Sequence, residues 1–496
     1  MTFDCAAGNA SEAGVDTLVY FCFEEDRPSG AFLKALDRDT DGALGSVYES
    51  GEFSGRLNSS AVLRRPSEWN VDSVALAGVG KRAEVSADRF RQAAGTISRL
   101  PVALKSSELA FASQGRLDPE TCGALVEGYQ LGSWELLDYK TGDDVEPPLD
   151  QSISILLADQ AAATRAKPAV RRSEIIAQAV ALCRNLAFQP SNVLTPEILA
   201  AEATRQGKLC GFSAKVLDVK GIEREKMGAL LAVNQGSANQ ARFIIMQYTG
   251  GRKGQKPIAL VGKGVTFDTG GISLKPGLNM HEMKGDMTGS AVVISTMAAV
   301  AQLKLKLNVV ALVPATENVP SATAYKPGDI ITARNGKTIE IINTDAEGRL
   351  ILADALDYAN KFNPQAVIDI ATLTGATLFI LGHAGAPIFS THTALAKQLR
   401  AASEVTAEKI WEMPLWPEYA EQMKSKIADL VNSGGRPAGT ATAAAFLSEF
   451  IGDYPWAHID IAYVDLEYSG KPYIPRGPSG FGTRLLVELL SNWKSL

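Results

Sequence analysis

The segment Asn343-Thr344-Asp345-Ala346-Glu347-Gly348-Arg349-Leu350 sets two carboxylates two residues apart, closed by glycine and followed by arginine. Asp345 and Glu347 offer hard oxygen ligands, and the Arg349 guanidinium could hold an anion beside them. An apolar run, Thr338 to Ile342, precedes the segment and a helical pattern follows it. Strand-to-helix junctions of this kind lie at the carboxyl ends of strands, where α/β folds place their sites. The alternative is structural: Asp345 caps the coming helix and Glu347 is favoured by the helix dipole. Upstream, Val261-Gly262-Lys263-Gly264-Val265-Thr266-Phe267-Asp268-Thr269-Gly270-Gly271 leads to Lys275 and then to Met283-Lys284-Gly285-Asp286-Met287-Thr288-Gly289-Ser290. Ile258 to Val261 suits a buried strand, and the glycine-dense stretch after it is expected to be a loop that lets a ligand approach the backbone. Taken singly, Lys263 or Asp286 would pass for a surface charge.

Together the segments bring Asp268, Asp286, Asp345 and Glu347 with two lysines and an arginine. Four carboxylates in one place repel one another and raise their own pKa values unless cations neutralise them. A pair of divalent ions sharing bridging ligands suits such a set. Histidine plays little part: the chain has only His281, His383, His392 and His458, and His281-Glu282 does not continue into a His-Glu-x-x-His zinc motif. Mn²⁺, Mg²⁺, Co²⁺ and Zn²⁺ all accept oxygen ligands, so ligand type leaves the metal open.

At these residues the chain resembles the leucyl aminopeptidases (cytosol aminopeptidases, peptidase family M17). The resemblance runs from about Ile175 to Leu496 and includes Ala371-Thr372-Leu373-Thr374-Gly375-Ala376 and Trp456-Ala457-His458-Ile459-Asp460-Ile461-Ala462. It implies that Asp268 and Glu347 bridge two metal ions, that Lys263 (as a neutral amine) and Asp286 complete one site, and that Asp345 completes the other. It further implies that Lys275 polarises the substrate carbonyl and that Arg349 holds a bicarbonate ion acting as general base. An amine ligand must lose a proton ordinarily held to pH ~10, which an adjacent dication makes feasible. A metal can lower the pKa of bound water from ~15.7 to about 7, which supplies a nucleophile for amide hydrolysis at neutral pH.

The expected substrates are peptides with a free N-terminus. The resemblance places the pocket for the first side chain at Met283, Thr372 and Gly375. Methionine is an adaptable lining for aliphatic groups, so Leu and Met are the expected preferences, although most methionines are simply core. The resemblance also implies a homohexamer.

These groups need a scaffold. From 496 residues at least two domains are expected, because single cores stop growing at ~250–300 residues. The expected fold class is α/β: a small N-terminal α/β domain with its linker over residues 1–165, and a larger catalytic domain over 166–496 with a mixed sheet covered by helices. In the first, strands such as Thr17 to Phe23 and Val71 to Gly78 alternate with helical stretches such as Ala87 to Leu100. Acidic, proline-containing Asp143 to Asp150 is a candidate linker, and Ser173 a candidate cap for a helix running to about Leu186. In the second, strands are expected at Ala214 to Leu217, Ala241 to Tyr248, Ile258 to Val261, Val309 to Pro314, Ala366 to Ile370 and His458 to Ile461. Helices are expected at Ser290 to Leu303 and Gly348 to Phe362.

Composition is that of a soluble globular protein, with 46% hydrophobic and 21% charged residues. A formal net charge of −6 gives no general attraction to nucleic acid or membrane. Cys5, Cys22, Cys122, Cys183 and Cys210 form no CxxC pair, which points to reduced thiols and a cytoplasmic protein. No signal peptide is evident, and the apolar stretch Ile370 to Gly382 is too short for a span of about 20 residues, so it reads as buried core.

Rival readings are weaker. Gly336-Lys337-Thr338 lacks the P-loop's first glycine, since position 331 is Ile, and no Gly-x-Ser-x-Gly elbow is present. A dinuclear hydrolase of another substrate class, such as a phosphoesterase, remains open on chemistry alone. A DNA-binding role, which some bacterial members of the resembled family perform, is disfavoured by charge. The chain departs from that family at Tyr463-Val464-Asp465-Leu466-Glu467-Tyr468, where glycine and small residues are more usual.

Overall fold

The computed structural model describes every residue except 27–29, 65, 67, 116 and 143–148. The candidate linker therefore lies outside the described residues apart from Leu149 and Asp150. The chain forms two compact units: Met1–Gln178 with Tyr468–Arg476, and Ala179–Glu467 with Gly477–Leu496.

The first unit is built on strands β1 (Thr2–Ala7), β2 (Val15–Phe23), β3 (Ser60–Arg64), β4 (Val71–Gly80), β5 (Glu108–Ser113) and β6 (Ser152–Leu157). They lie in the order β1-β6-β5-β2-β4-β3, parallel throughout except for the antiparallel edge strand β3. Alternation along β2 feeds two cores. Val19, Phe21 and Phe23 pack on one face with Phe90, Ala94 and Leu125, while Leu18, Tyr20 and Cys22 pack on the other with Leu33, Leu36 and Leu44. The late segment Tyr468–Arg476 is tied into this unit by the Tyr473 hydroxyl, which donates to Asp88 at 2.8 Å.

A helix over Gln160–Phe188 carries the chain from one unit into the next. It corrects the expectation that Ser173 caps a helix. The helix begins thirteen residues earlier, where the Asp159 carboxylate accepts from the Ala162 amide at 2.7 Å. Pro168 sits inside it, and the Ser173 hydroxyl donates to Glu127 instead.

The second unit holds β7 (Ser213–Leu217), β8 (Arg242–Thr249), β9 (Ile258–Gly262), β10 (Gly264–Asp268), β11 (Asn308–Asn318), β12 (Ile330–Thr332), β13 (Thr338–Glu340), β14 (Ala366–Ala371), β15 (Ala386–Ser390), β16 (Ile410–Glu412), β17 (Leu430–Val431) and β18 (Trp456–Asp460). Its nine-stranded mixed sheet runs β16-β15-β18-β14-β9-β11-β8-β7, with β10 also pairing β11. The central strands β18, β14, β9, β10 and β11 are mutually parallel, so their carboxyl ends share one edge. Both faces are covered. Ile258 and Leu260 enter one core and Ala259 and Val261 the other, all with no solvent exposure, as expected of a buried parallel strand.

Two further expectations are corrected. The stretch after Val261 is not all loop, because Gly264–Asp268 forms β10 and pairs with β11 from Gly264↔Ala315 to Asp268↔Asn318. Its glycines hid a strand that pairs on one side only. The apolar stretch Ile370 to Gly382 is buried only at first: a 3-10 turn over Gly375–Phe379 leaves Phe379 88% exposed. Among the described residues no helix is long and apolar enough to cross a membrane, and all five cysteines are free thiols.

Candidate metal centre

The cluster is built at the carboxyl ends of the parallel strands, the edge where open α/β sheets bind ligands. Lys263 lies between β9 and β10, its amide donating to the Ile370 carbonyl of β14 at 3.2 Å. Glycine precedes it because the backbones touch: a Cβ on Gly262 would stand 2.5 Å from the Gly289 carbonyl oxygen. The side chain runs inward and is 2% exposed. Its ammonium meets Asp286 at 2.7 and 2.8 Å, Glu347 at 2.9 Å and the Thr372 carbonyl at 2.9 Å. It passes so close to the helix Gly348–Ala359 that a Cβ on Gly348 would lie 2.7 Å from Lys263 Cε. That contact is the physical reason for glycine after Glu347.

Asp268 ends β10. Its Oδ1 accepts from the Gly270 amide at 2.9 Å and from Asn318 Nδ2 at 2.8 Å, and its Oδ2 faces Lys275 at 2.8 Å. Lys275 also reaches Asp345 at 2.5 Å. Asp345 is no helix cap: the helix begins at Gly348, with Glu347 at the capping position and no side-chain capping bond. Six expected residues, Lys263, Asp268, Lys275, Asp286, Asp345 and Glu347, thus meet in one cluster.

Charge does not balance there. Four carboxylates face two ammonium groups, a mutual excess of negative charge in a largely buried place. Burial, with the neighbouring carboxylates, holds Asp268 and Asp286 above the ordinary carboxylate range. Burial raises Asp345 in the same sense. Burial alone would lower both lysines, but the facing carboxylates outweigh it and raise them. Asp286 Oδ2, Asp345 Oδ1 and Glu347 Oε1 are buried without a directed hydrogen-bond donor, although each touches a lysine ammonium as an ion pair. Ligand atoms of Asp268, Asp286 and Glu347 lie within 4.8 Å of one another. Buried carboxylate oxygens this close fit divalent cations, which take several carboxylates in one shell.

Arg349, one helical residue on, donates from Nη1 to the Asn432 carbonyl at 2.9 Å, while its Nε is buried without a partner. Burial draws its pKa down to about 10, so it stays charged at neutral pH with donor capacity for an anion. Thr372 follows β14; its hydroxyl donates to Asp286 at 2.8 Å. Met283 stands half-buried on the 3-10 turn Met280–Gly285 that leads into Asp286. Gly375 opens the turn three residues after Thr372.

Several supporting residues escaped the sequence reading. Asn318, the last residue of β11, joins Asp268 to the Thr344 carbonyl, which it reaches at 3.0 Å. Asn432 accepts from the Ile342 amide at 2.8 Å and donates to the Asn343 carbonyl at 2.6 Å, holding the approach to Asp345. Asp460 ends β18 and accepts from the Leu373 amide at 3.0 Å and the Thr374 hydroxyl at 2.7 Å. The signal for Asn318 was a polar residue closing an apolar strand. Asp460 lay inside a quoted motif, two residues after His458, without being assigned a role.

The family described as "Cytosol aminopeptidase family, catalytic domain" matches residues 181–487, and its N-terminal domain matches residues 19–143. A "Probable cytosol aminopeptidase" of Syntrophotalea carbinolica is 48% identical over 471 residues, covering 94% of this chain and 95% of the relative. One from Geobacter sulfurreducens is 42% identical over 495 residues, covering 98% of this chain and 97% of the relative. Among solved structures, a mutant of tomato leucine aminopeptidase matches with a TM-score of 0.90 and 31% identity, over 99% of this chain and 96% of that one. The bottromycin maturation enzyme BotP in complex with Mn matches with a TM-score of 0.85 and 31% identity, over 97% of this chain and 99% of that one.

Proposed function

The chain belongs to the cytosol aminopeptidase family and is a metal-dependent aminopeptidase, and from that premise we propose how its residues divide the work. Asp268 and Glu347, with Lys263 and Asp286 for one ion and Asp345 for the other, would hold two divalent ions, Mn²⁺ or Zn²⁺ foremost and Mg²⁺ or Co²⁺ as alternatives. When bound there, the ions supply a nucleophile at neutral pH from water and a Lewis acid for the peptide carbonyl. Lys263 would then serve as a neutral amine, a form that an adjacent dication makes feasible.

Lys275 reaches the cluster from a half-buried position, so its ammonium can also face a substrate. It orients the carbonyl and stabilises the negative charge that develops on oxygen in the tetrahedral intermediate. Arg349 uses its unsatisfied Nε to hold a bicarbonate ion as proton acceptor, because the cluster's carboxylates are committed elsewhere. Selection of a free N-terminus follows if the α-amine occupies the metal centre. Met283, Thr372 and Gly375 line the pocket for the first side chain, with Leu and Met preferred. The protein works in the cytoplasm as a homohexamer on this reading, and its net charge disfavours an additional DNA-binding role.

The observation that carries the proposal is the gathering of buried carboxylates, with ligand oxygens of Asp268, Asp286 and Glu347 within 4.8 Å of one another and only two ammonium groups facing the cluster. The test is cleavage of Leu-p-nitroanilide and its N-acetylated counterpart by chelated protein, with and without Mn²⁺ or Zn²⁺. Metal-restored cleavage of the free-amine substrate alone supports the reading. Cleavage of a phosphate ester in place of either would transfer the centre to another hydrolase class.

A further inference from the structure

The sheet of the first unit reverses direction between β2 and β5. From β2 the chain goes on to strands on one side, with β4 as its neighbour, and from β5 it goes on to β6 on the other. The helix after β2, Ala31–Asp39, covers the face of Leu18, Tyr20 and Cys22. The helix after β5, Pro119–Gly132, covers the face of Val19, Phe21 and Phe23. Such a reversal opens a crevice outside the carboxyl ends of parallel strands, the place where these sheets bind ligands. A cavity of about 700 Å³ lies at that edge, reached by Asn9 after β1, Gln114 after β5 and Asp159 after β6. Small-molecule sites span ~300–1,000 Å³, so the volume is that of a ligand site.

The lining divides by chemistry. Its floor is apolar and partly aromatic: Tyr20, Ala112 and Leu156 from the strands, and Phe32, whose ring stacks on Tyr20 with centroids 3.8 Å apart. Its polar groups are largely unengaged. Among the described residues neither the Gln114 carboxamide nor the Arg165 guanidinium has a hydrogen bond or an ion pair. Glycine at position 30 gives that carboxamide its room, since a Cβ there would stand 2.7 Å from Gln114 Nε2. Asn9 uses its Oδ1 on the Ser11 amide at 3.4 Å, which leaves the Nδ2 donors available. The Asp159 carboxylate is turned to the Ala162 amide at 2.7 Å.

We propose that this cavity is a second ligand site and that it takes a nucleoside phosphate. The base lies on the apolar floor, Gln114 reads its edge, and Arg165 holds the phosphate. A carboxamide sets a donor beside an acceptor and so complements adenine, whose edge offers the same pair reversed. A guanidinium with free N–H groups binds phosphate through two parallel hydrogen bonds. No residue of the carboxylate cluster lines the cavity, so the site stands independently of the aminopeptidase reading.

The experiment is calorimetric titration of the Mn²⁺-loaded full chain with AMP, adenosine, inorganic phosphate and phenylacetate. The parent is compared with Arg165→Ala, Gln114→Ala and Ala31→Trp, the last adding an indole at an exposed lining position. Melting curves without ligand check folding, and Ala158→Trp, at another exposed lining position, replaces Ala31→Trp if that variant folds poorly. The expected result is one AMP site per chain, weakened about tenfold or more by Arg165→Ala, because a hydrogen-bonded charge is lost. Adenosine should bind Arg165→Ala within about threefold of the parent, Gln114→Ala should weaken AMP and adenosine alike, and the added indole should abolish both. AMP binding to the parent weaker than about 10 mM overturns the proposal. So does AMP binding that stays within about twofold in both Arg165→Ala and the indole variant, which would place the nucleotide at the metal centre or elsewhere. Phosphate or phenylacetate binding as tightly as AMP overturns the assignment to nucleotides.

Discussion

Asp460 touches no expected ligand side chain, yet the cluster depends on it through the loop after β14. Its Oδ1 takes the Leu373 amide at 3.0 Å, the Ala462 amide at 3.3 Å and the Thr374 amide at 3.4 Å, and its Oδ2 takes the Thr374 hydroxyl at 2.7 Å. The residue has no solvent exposure, and burial holds its pKa above the ordinary value. Asp460→Ala strands these donors away from water. Each unsatisfied buried donor costs about 1–3 kcal/mol, but the Thr374 hydroxyl can turn to Thr440, 2.9 Å away. The Leu373 and Ala462 amides, the two shorter backbone contacts, then remain without an acceptor, so the expected loss is about 2–6 kcal/mol, large against a total stability of ~5–15 kcal/mol. Asp460→Asn keeps one oxygen for the backbone donors and sets its NH₂ against a hydroxyl that can accept, so it should lose about 1 kcal/mol. Both variants lose the negative charge that supports Arg349 and His458, which makes the difference between them the cleaner quantity. The same loop presents the Thr372 carbonyl to Lys263 and the Thr372 hydroxyl to Asp286, so its loosening should weaken Mn²⁺ binding by about 10–100-fold. Urea midpoints and Mn²⁺ titration of parent, alanine and asparagine forms provide the assay. An alanine variant within about 0.5 kcal/mol of the parent, with equal Mn²⁺ affinity, would refute the argument.

Lys275→Ala should lower kcat by about 10²–10³ with a smaller change in KM, since its charge is needed most where oxygen becomes negative; equal kcat would deny it that role. Added bicarbonate should stimulate the parent enzyme after decarbonation but leave Arg349→Ala unresponsive, and an Arg349→Ala variant that still responds would remove bicarbonate from Arg349. Asp354 is fully buried, accepts from the Leu230 and Arg334 amides, and has its pKa pushed up to about 7 by burial. Its native pKa is above the unfolded one, so its contribution is most favourable below about pH 4 and declines as pH rises to about 7, by up to ~1.4 kcal/mol per unit. The stability difference between parent and Asp354→Asn should therefore shift with pH across that window, and parallel profiles would contradict the sign.

The cluster was legible because its residues were concentrated. Lys263, Asp268, Asp286, Asp345 and Glu347 stand in glycine-dense segments, where bulk is absent because backbones and the Lys263 stem pass close by. The core strands were legible for a related reason: Ile258 to Val261 is apolar on both faces, as a strand covered by helices on both sides must be. β10 was not, because glycine and threonine in Gly264–Asp268 weaken the strand signal while the backbone ladder to β11 remains available. Ser173 misled because a serine inside a long helix has the same local look as one at its start, and only the preceding turns decide. Asn318, Asn432 and Asp460 act through backbone groups of loops remote in sequence. No local pattern encodes such partners.

The central claim is that the carboxylate cluster is a dinuclear metal centre with Lys263 among its ligands. Diffraction from Mn²⁺-loaded crystals at the manganese edge tests it directly. Two anomalous peaks about 3.5–4 Å apart, shared by Asp268 and Glu347 with Lys263 Nζ bound to one of them, are the predicted result. A cluster that stays metal-free at saturating Mn²⁺, with Lys263 still paired to Asp286 and Glu347, would contradict the account.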